Sequence, residues 1–353
     1  MPAGRPGDRL RIGLAGAGRF GALHLRALDG LPVEVAALCD PDPARAAEVA
    51  ARDGGPRRYP TLAELLRSEE VDLVDVVSDE ASHAELAAEA LEAGRHVFVE
   101  KPLALSTAGA ERLAALAADR DRTVVTGQIS RFGAPYAHVR AVLDSGELGR
   151  VVALRLRRDF SRDWFTSFGD RVHPVWESGI HDIDLAVWWA GAPCTRVRAV
   201  ARSLSGRRHP DTFSSILEFA NGVVATIESA WLVPRGAPQT LKGALELDGT
   251  IDASAEVLCE RGTVKQRLVS DGLGVWTDDG VVHPETILWP TVHGRISGAL
   301  RDELAYAVEV ARGERPHDVI PLDQAVEGIR IAEAVERAAR TGETVELGAG
   351  VAA

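Results

Sequence analysis

LRIGLAGAGRFGALHL, residues 10–25, joins a short apolar run to a helical pattern through glycines at positions 16, 18 and 21. The run LRIGLAG reads as a buried strand, and RFGALHLRALDG as a helix that stops at Gly30. Each glycine has a separate task in such a unit. Gly16 makes the tight turn, Gly18 lets a pyrophosphate approach the backbone, and Gly21 packs the helix on the strand. The start of the helix then offers unpaired N–H groups to phosphate, with Arg19 and Phe20 inside the turn and counted with the binding residues. Asp40 closes the next strand, VEVAALCD, nineteen residues after Gly21. An acid there accepts hydrogen bonds from an adenosine ribose and repels a 2′-phosphate, which selects NAD over NADP. Asp40 also qualifies as the cap of the helix that follows Pro41.

The same grammar continues outward. PDPARAAEVAARDGG is a helix, RRYP a short edge, and TLAELLRSE a helix. The alternation goes on with VDLVDVVSD, SHAELAAEALEAG, RHVFVE, STAGAERLAALAAD and RTVVTGQ. Strand–helix alternation of this kind predicts an α/β fold with a parallel sheet covered by helices, a Rossmann domain over residues 1–127. After a helix at 134–144 the pattern changes. VVALRLRRDF, RVRAVARSL, TFSSILEFA, GVVATIESAWL and TLKGALELDG alternate like half-buried strands, with turn signals such as Ala-Asn-Gly between them. Residues 128–353 are therefore expected to form an α/β domain with an open, mostly antiparallel sheet. Its closing helices, near 297–312 and 323–341, are placed where they could pack back on the first domain.

Composition narrows the function classes. The chain has 353 residues, 46% hydrophobic and 26% charged, with a formal net charge of −12. That is the make-up of an ordinary globular protein and argues against a nucleic-acid surface. Cys39, Cys194 and Cys259 form neither a disulfide framework nor a metal motif, so a reducing cytoplasm is expected and no metal site. The leader MPAGRPGDR lacks the apolar core of a signal peptide, and no membrane partner is expected.

Two further stretches carry chemistry. In HVFVEKPLAL, Glu100-Lys101-Pro102 stand at the carboxyl end of a strand, where open parallel sheets bind their ligands. A lysine held there can donate to a substrate hydroxyl or carbonyl oxygen; otherwise it is an ordinary loop lysine. In VWESGIHDIDLAVWW, residues 175–189, Glu177, His181 and Asp184 recur at steps of four and three and fall on one stripe of a helix, continued by Trp188. His181 is the natural base for an alcohol proton, Glu177 its orienting carboxylate, and Asp184 an acceptor for substrate hydroxyls. Asp182, about 140° round the helix from Glu177, is expected at the surface or between domains. Zinc held by His173, Glu177 and His181 is a weaker reading, because Pro174 keeps His173 off the helix.

GAGRFG, VEKPLAL, ESGIHDIDLAVWWAG and the closing HDVIPLDQAVEGIRIAEAVERAARTGETVEL together resemble the Gfo/Idh/MocA oxidoreductases. The resemblance implies a Rossmann domain with a second α/β domain, a nicotinamide cofactor and chemistry on secondary alcohols of sugars or cyclitols. It implies pairing into homodimers or homotetramers through the second sheet. It places Lys101 and His181 beside the reacting hydroxyl, and it differs from many sugar-oxidising members in having Glu177 where they have Asp. It puts Gln128, Arg131 and Phe132 in the family's segment near the nicotinamide; Ser78 and His83, standing where members usually carry Thr-Pro ahead of a histidine, are expected to border its ribose, and Glu100 is counted with the cofactor-binding residues. The irregular loop RDFSRDWFTSFGDRVHP offers Arg158, Trp164 and His173 as substrate contacts, while Trp231 and Trp276 are assigned to sheet packing. The expected function is hydride transfer between NAD and a sugar, an aminosugar such as an aminoglycoside precursor, or a cyclitol. An NAD-dependent glycosidase and a non-catalytic NAD-binding relative are the alternatives.

Overall fold

The structure, a computed structural model, describes residues 9–51, 55–241, 248–268, 272–278 and 280–348. Most of the leader and the core of TLKGALELDG (242–247) lie outside the described residues. The chain forms two compact units, one of residues 1–128 with 291–326 and one of residues 129–290 with 327–353.

In the first unit, β1 (Leu10–Ala15), α1 (Arg19–Leu28), β2 (Val33–Cys39), α2 (Pro43–Val49), β3 (Arg57–Tyr59) and α3 (Leu62–Ser68) make one half. The other half is β4 (Leu73–Val76), α4 (His83–Glu92), β5 (His96–Glu100), α5 (Thr107–Arg120) and β6 (Val124–Gly127). The sheet order is β3-β2-β1-β4-β5-β6, all parallel. The order reverses between β1 and β4, and the strand ends beside that switch point are where such sheets take ligands. The strands are apolar on both faces because helices cover both, and β4 and β6 are buried throughout.

The second unit begins with a turn of 3-10 helix at Ile129–Phe132, then α6 (Ala134–Asp144), β7 (Val151–Ser161), the one-turn α7 (Phe165–Phe168) and α8 (Ile180–Ala190). There follow β8 (Cys194–Arg202), β9 (Thr212–Phe219), β10 (Val224–Val233), β11 (Ile251–Cys259), β12 (Gly262–Arg267) and a hairpin of β13 (Val275–Thr277) and β14 (Gly280–Val282). The first unit resumes with a small ribbon, β15 (Thr291–Val292) and β16 (Arg295–Ile296), and α9 (Ala299–Ala311). Last come α10 (Leu322–Thr341) and β17 (Val345–Glu346). α9 packs on α1, where Arg301 donates to the carbonyls of Ala27 and Asp29 at 2.6 and 2.7 Å.

The second sheet runs β12-β11-β7-β10-β9-β8-β17, antiparallel except for the parallel pair β10–β7. Strands β11 and β12 went unassigned in the sequence reading. Burial alternates along β9 and β10, so one face is apolar and covered, with α8 packed on it. Trp231 is buried there among Phe160, Phe165 and Phe168, as assigned. Trp276 is not: it is 84% exposed on the β13–β14 hairpin, which has no covered face at that position. The outward face carries Val200, Ile216 and Val224 among arginine–glutamate pairs.

Among the described residues, no helix is long and apolar enough to cross a membrane. Cys39 and Cys194 are buried free thiols, and Cys259 is a half-buried one.

The glycine turn is sterically closed. Gly16 has φ +117°, and a Cβ on it would lie 2.5 Å from the Val77 carbonyl; one on Gly21 would run into the Gly16 carbonyl. Gly21→Ala should therefore push α1 off β1 and lower NAD affinity about tenfold or more, ~1.4 kcal/mol. Calorimetric titration of NAD into wild type and variant checks this.

Candidate active site

At the nucleotide end of the first unit, α1 starts at Gly18 without a side-chain cap, which leaves its first N–H groups for a ligand. The space where a Gly18 side chain would stand is open. Asp40 is nearly buried: its Oδ2 accepts from the Ala17 N–H at 2.9 Å and its Oδ1 from the Asp42 N–H at 2.8 Å. The acid thus pins the glycine turn, and each oxygen keeps a second lone pair for a ribose hydroxyl. It does not cap α2; Asp42 does, accepting from Ala44 and Arg45. Arg19 is exposed and Phe20 is half-buried against His24, with ring centroids 5.1 Å apart. At the end of β6, Gln128 Oε1 is buried without a hydrogen-bond partner among the described residues, an acceptor left open at the ligand end of the sheet. An uncapped helix start, an open cradle and an orphaned acceptor fit a bound dinucleotide.

Three residues expected to border the cofactor do other work. Ser78 Oγ bonds Ser82 Oγ at 2.7 Å. The buried His83 ring has Nδ1 2.8 Å from the Pro102 carbonyl and Nε2 3.0 Å from the Ser78 carbonyl, so it staples two loops and has no nitrogen left for a ribose. Glu100 is turned inward, where its Oε2 accepts the Lys101 N–H at 3.1 Å and its Oε1 lies 3.3 Å from His24 Nε2. Lys101 itself is half-buried.

The helix stripe of the second unit is the larger correction. Val175–Gly179 is a turn of π-helix, and regular α-helix begins only at Ile180. A turn closed by i→i+5 bonds takes an extra residue, so one 100° ruler does not run from Glu177 to Asp184. Asp184 points into the protein, 1% exposed, and both its oxygens accept from Arg131, at 2.8 and 2.9 Å. It is not a free substrate clamp. Arg131, which lies over the Trp188 ring, is equally buried. Asp182, expected at the surface, is 2% exposed and paired with Arg158 at 2.9 and 3.3 Å. Arg158 is thus buried with its guanidinium turned to Asp182.

Burial acts against both aspartates and raises their pKa values, with the arginines opposing it. His173 is buried, its Nδ1 accepting the Val175 N–H at 3.1 Å; burial first, then His209, depresses it to about 3. It caps the π turn. Trp164 is packed on Phe160 and donates to the Asp248 carbonyl at 3.2 Å. What remains is selective: from Val172 to Ala190 every residue is buried except Glu177, His181 and Trp188. Among the described residues, no group of three His, Cys, Asp or Glu could hold a metal ion.

Residues 10–128 match the Gfo/Idh/MocA oxidoreductase family, NAD-binding Rossmann fold, and residues 136–265 match the Gfo/Idh/MocA C-terminal domain. The chain belongs to this family. NAD is thus its cofactor, and its two folds are those expected.

Inositol 2-dehydrogenase 2 of Saccharopolyspora erythraea is 34% identical over 225 residues, which span 62% of this chain and 66% of that enzyme, just under two thirds of its length. A 4-carboxy-2-hydroxymuconate-6-semialdehyde dehydrogenase of Sphingobium sp. is 28% identical over 72% of this chain and 78% of its own. Among solved structures, GenD2 from gentamicin A biosynthesis, crystallised with NAD, superposes with TM-score 0.84 at 27% identity over 99% of both chains. The myo-inositol 2-dehydrogenase of Lactobacillus plantarum shares the fold, with TM-score 0.81 at 23% identity over 96% of this chain and 99% of its own.

Two outcomes follow from the buried charges. Arg158→Met leaves Asp182 buried and unpaired and should cost about 3–5 kcal/mol, whereas Arg158→Met with Asp182→Leu should recover most of it; urea unfolding measures both. For His24, burial lowers the pKa, but Asp75 and Glu100 override it and raise the ring to about 10. Folded His24 therefore holds a proton that the unfolded chain gives up near its ordinary value. Its contribution is full below about pH 6.5 and is lost as pH rises toward 10. The stability gap between wild type and His24→Asn should shrink over that window.

Proposed function

We propose that this protein is an NAD-dependent dehydrogenase that moves a hydride between nicotinamide and a secondary alcohol on a cyclitol or aminosugar ring. The observation that carries the reading is the selective exposure of Glu177 and His181 on an otherwise buried helical segment. A segment so apolar keeps a carboxylate and an imidazole half-open one turn apart only at a cost in burial, which a site would repay. The bound cofactor supplies the hydride acceptor. In this reading Lys101 donates to the alcohol oxygen and so stabilises the charge that develops on it as its proton departs. His181 receives that proton, and Glu177 orients and steadies the charged imidazole.

Cyclitols are supported by the likeness to inositol 2-dehydrogenases. An amine-bearing ring is supported by the full-length likeness to GenD2, since gentamicin A is an aminoglycoside, and by a net charge of −12. The reading includes pairing of two or four copies through the outward face of the second sheet, where Val200, Ile216 and Val224 are exposed.

The protein incubated with NAD and a panel of inositols, sugars and aminosugars should produce NADH absorbance with at least one secondary alcohol. Lys101→Ala and His181→Ala should each lower kcat by about 10²–10⁴-fold. Glycoside hydrolysis without net NADH would instead favour the NAD-dependent glycosidase, working by transient oxidation and elimination, and unchanged turnover in both variants would sink the assignment of roles.

A further inference from the structure

Under the Glu-Lys-Pro segment lies a cluster of charge for which a Rossmann core has no general need. His24 is on α1, fully buried, with Nδ1 3.0 and 3.2 Å from the two carboxylate oxygens of Asp75 on β4. Its Nε2 stands 3.3 Å from Oε1 of Glu100, the last residue of β5. The other oxygen of Glu100 accepts the backbone N–H of Lys101 at 3.1 Å. The imidazole is boxed by Phe20 and Phe98, with ring centroids at 5.1 and 5.8 Å. On β6, Gly127 stands in register with Glu100, and a Cβ there would lie 2.7 Å from Glu100 Oε1. Four elements thus converge to hold one carboxylate, and even the neighbouring strand leaves it room.

Apolar residues of the same size would pack this core at no electrostatic cost, so the charges are weak evidence for stability. What they determine is a direction. Asp75 fixes the imidazole, the imidazole faces one oxygen of Glu100, and the second oxygen meets the main chain of Lys101. Of the four residues, only Lys101 is not buried. We infer that His24, Asp75 and Glu100 are positioning residues, a buried relay that sets where Lys101 stands at the carboxyl end of the sheet. The inference rests on the proposed action of Lys101 on the reacting hydroxyl for its kinetic consequence, but not for its structural one.

The chain has three lysines, Lys101, Lys242 and Lys265, which makes the structural part readable by itself. With saturating NAD, brief acetic anhydride treatment and peptide mass spectrometry give the modification rate of Lys101 against the exposed Lys265 as internal standard. Glu100→Gln removes the charge at constant shape, and Gly127→Ala displaces the carboxylate without touching its charge. His24→Asn is the third variant, and the first two carry the test if it does not fold.

The expected result is a change of threefold or more in the Lys101-to-Lys265 ratio in each folded variant. A fall in kcat of at least tenfold should accompany it, on the polyol turned over best, with KM and the NAD dissociation constant within threefold. Glu100→Gln added to Lys101→Ala should cost nothing further, because both act through one group. A lower melting temperature with an unchanged labelling ratio and unchanged kcat would reduce the cluster to packing and overturn the inference. If Lys101→Ala turned over like wild type, the role of Lys101 would fail, and the labelling ratio alone would then decide the relay. It decides equally if no polyol in the panel is turned over.

Discussion

A charge withdrawn from water must meet an opposite charge inside the protein, and both units are organised around that requirement. In the first, Asp75 and Glu100 share the imidazole of His24. In the second, Asp182 and Asp184 each hold a buried arginine. The residues proposed for chemistry stand immediately beside these pairs along the chain. Lys101 follows Glu100, and His181 precedes Asp182. The half-buried group is therefore carried on a backbone whose neighbouring side chain is held by a buried pair.

The energetics favour a geometric reading of the pairs. Dehydrating two ions costs several kcal/mol each, and their attraction returns roughly that amount, so the net gain in stability is small. The loss on breaking a pair is large, and that asymmetry makes it a lock. α8 is locked in two directions, by Arg131 on the turn at 129–132 and by Arg158 on β7. Two bidentate contacts on residues two apart oppose rotation about the helix axis, the motion that would swing His181 away. The π turn just before it has its own fastenings: His173 Nδ1 on the Val175 N–H, Ser178 Oγ on the Pro174 carbonyl, and Trp176 Nε1 on Glu336 at 2.7 Å.

The fold was largely legible because period and punctuation report local geometry. The glycine turn, the parallel order of the first sheet and α6, α9 and α10 stand where the pattern placed them. Strands β11 and β12 lie beyond TLKGALELDG, the last segment to which the alternation assigns a strand. The site was legible only in part. A side chain on an apolar element announces that it is polar and buried; it does not say whether a ligand or the protein itself will satisfy it. Asp184, Arg158 and His173 were read as the first kind and are the second. The π turn left no signal in composition, and it changed which residues share a face.

A rule for separating the two kinds follows from the same residues. Val172 to Ala190 contains His173, Glu177, His181, Asp182 and Asp184. Each aspartate has an arginine within reach on a neighbouring element, in β7 or just after β6, and His173 has a main-chain N–H two residues on. Of these five, Glu177 and His181 alone are half-exposed, and the other three are buried. Buried polar groups answer one another in the first unit too. An aspartate in the middle of VDLVDVV and a histidine on the apolar side of α1 are each anomalous alone, and together with Glu100 they account for one another. Polar residues in apolar elements are thus best read as a set whose buried members answer one another, while exposure marks the members set toward solvent.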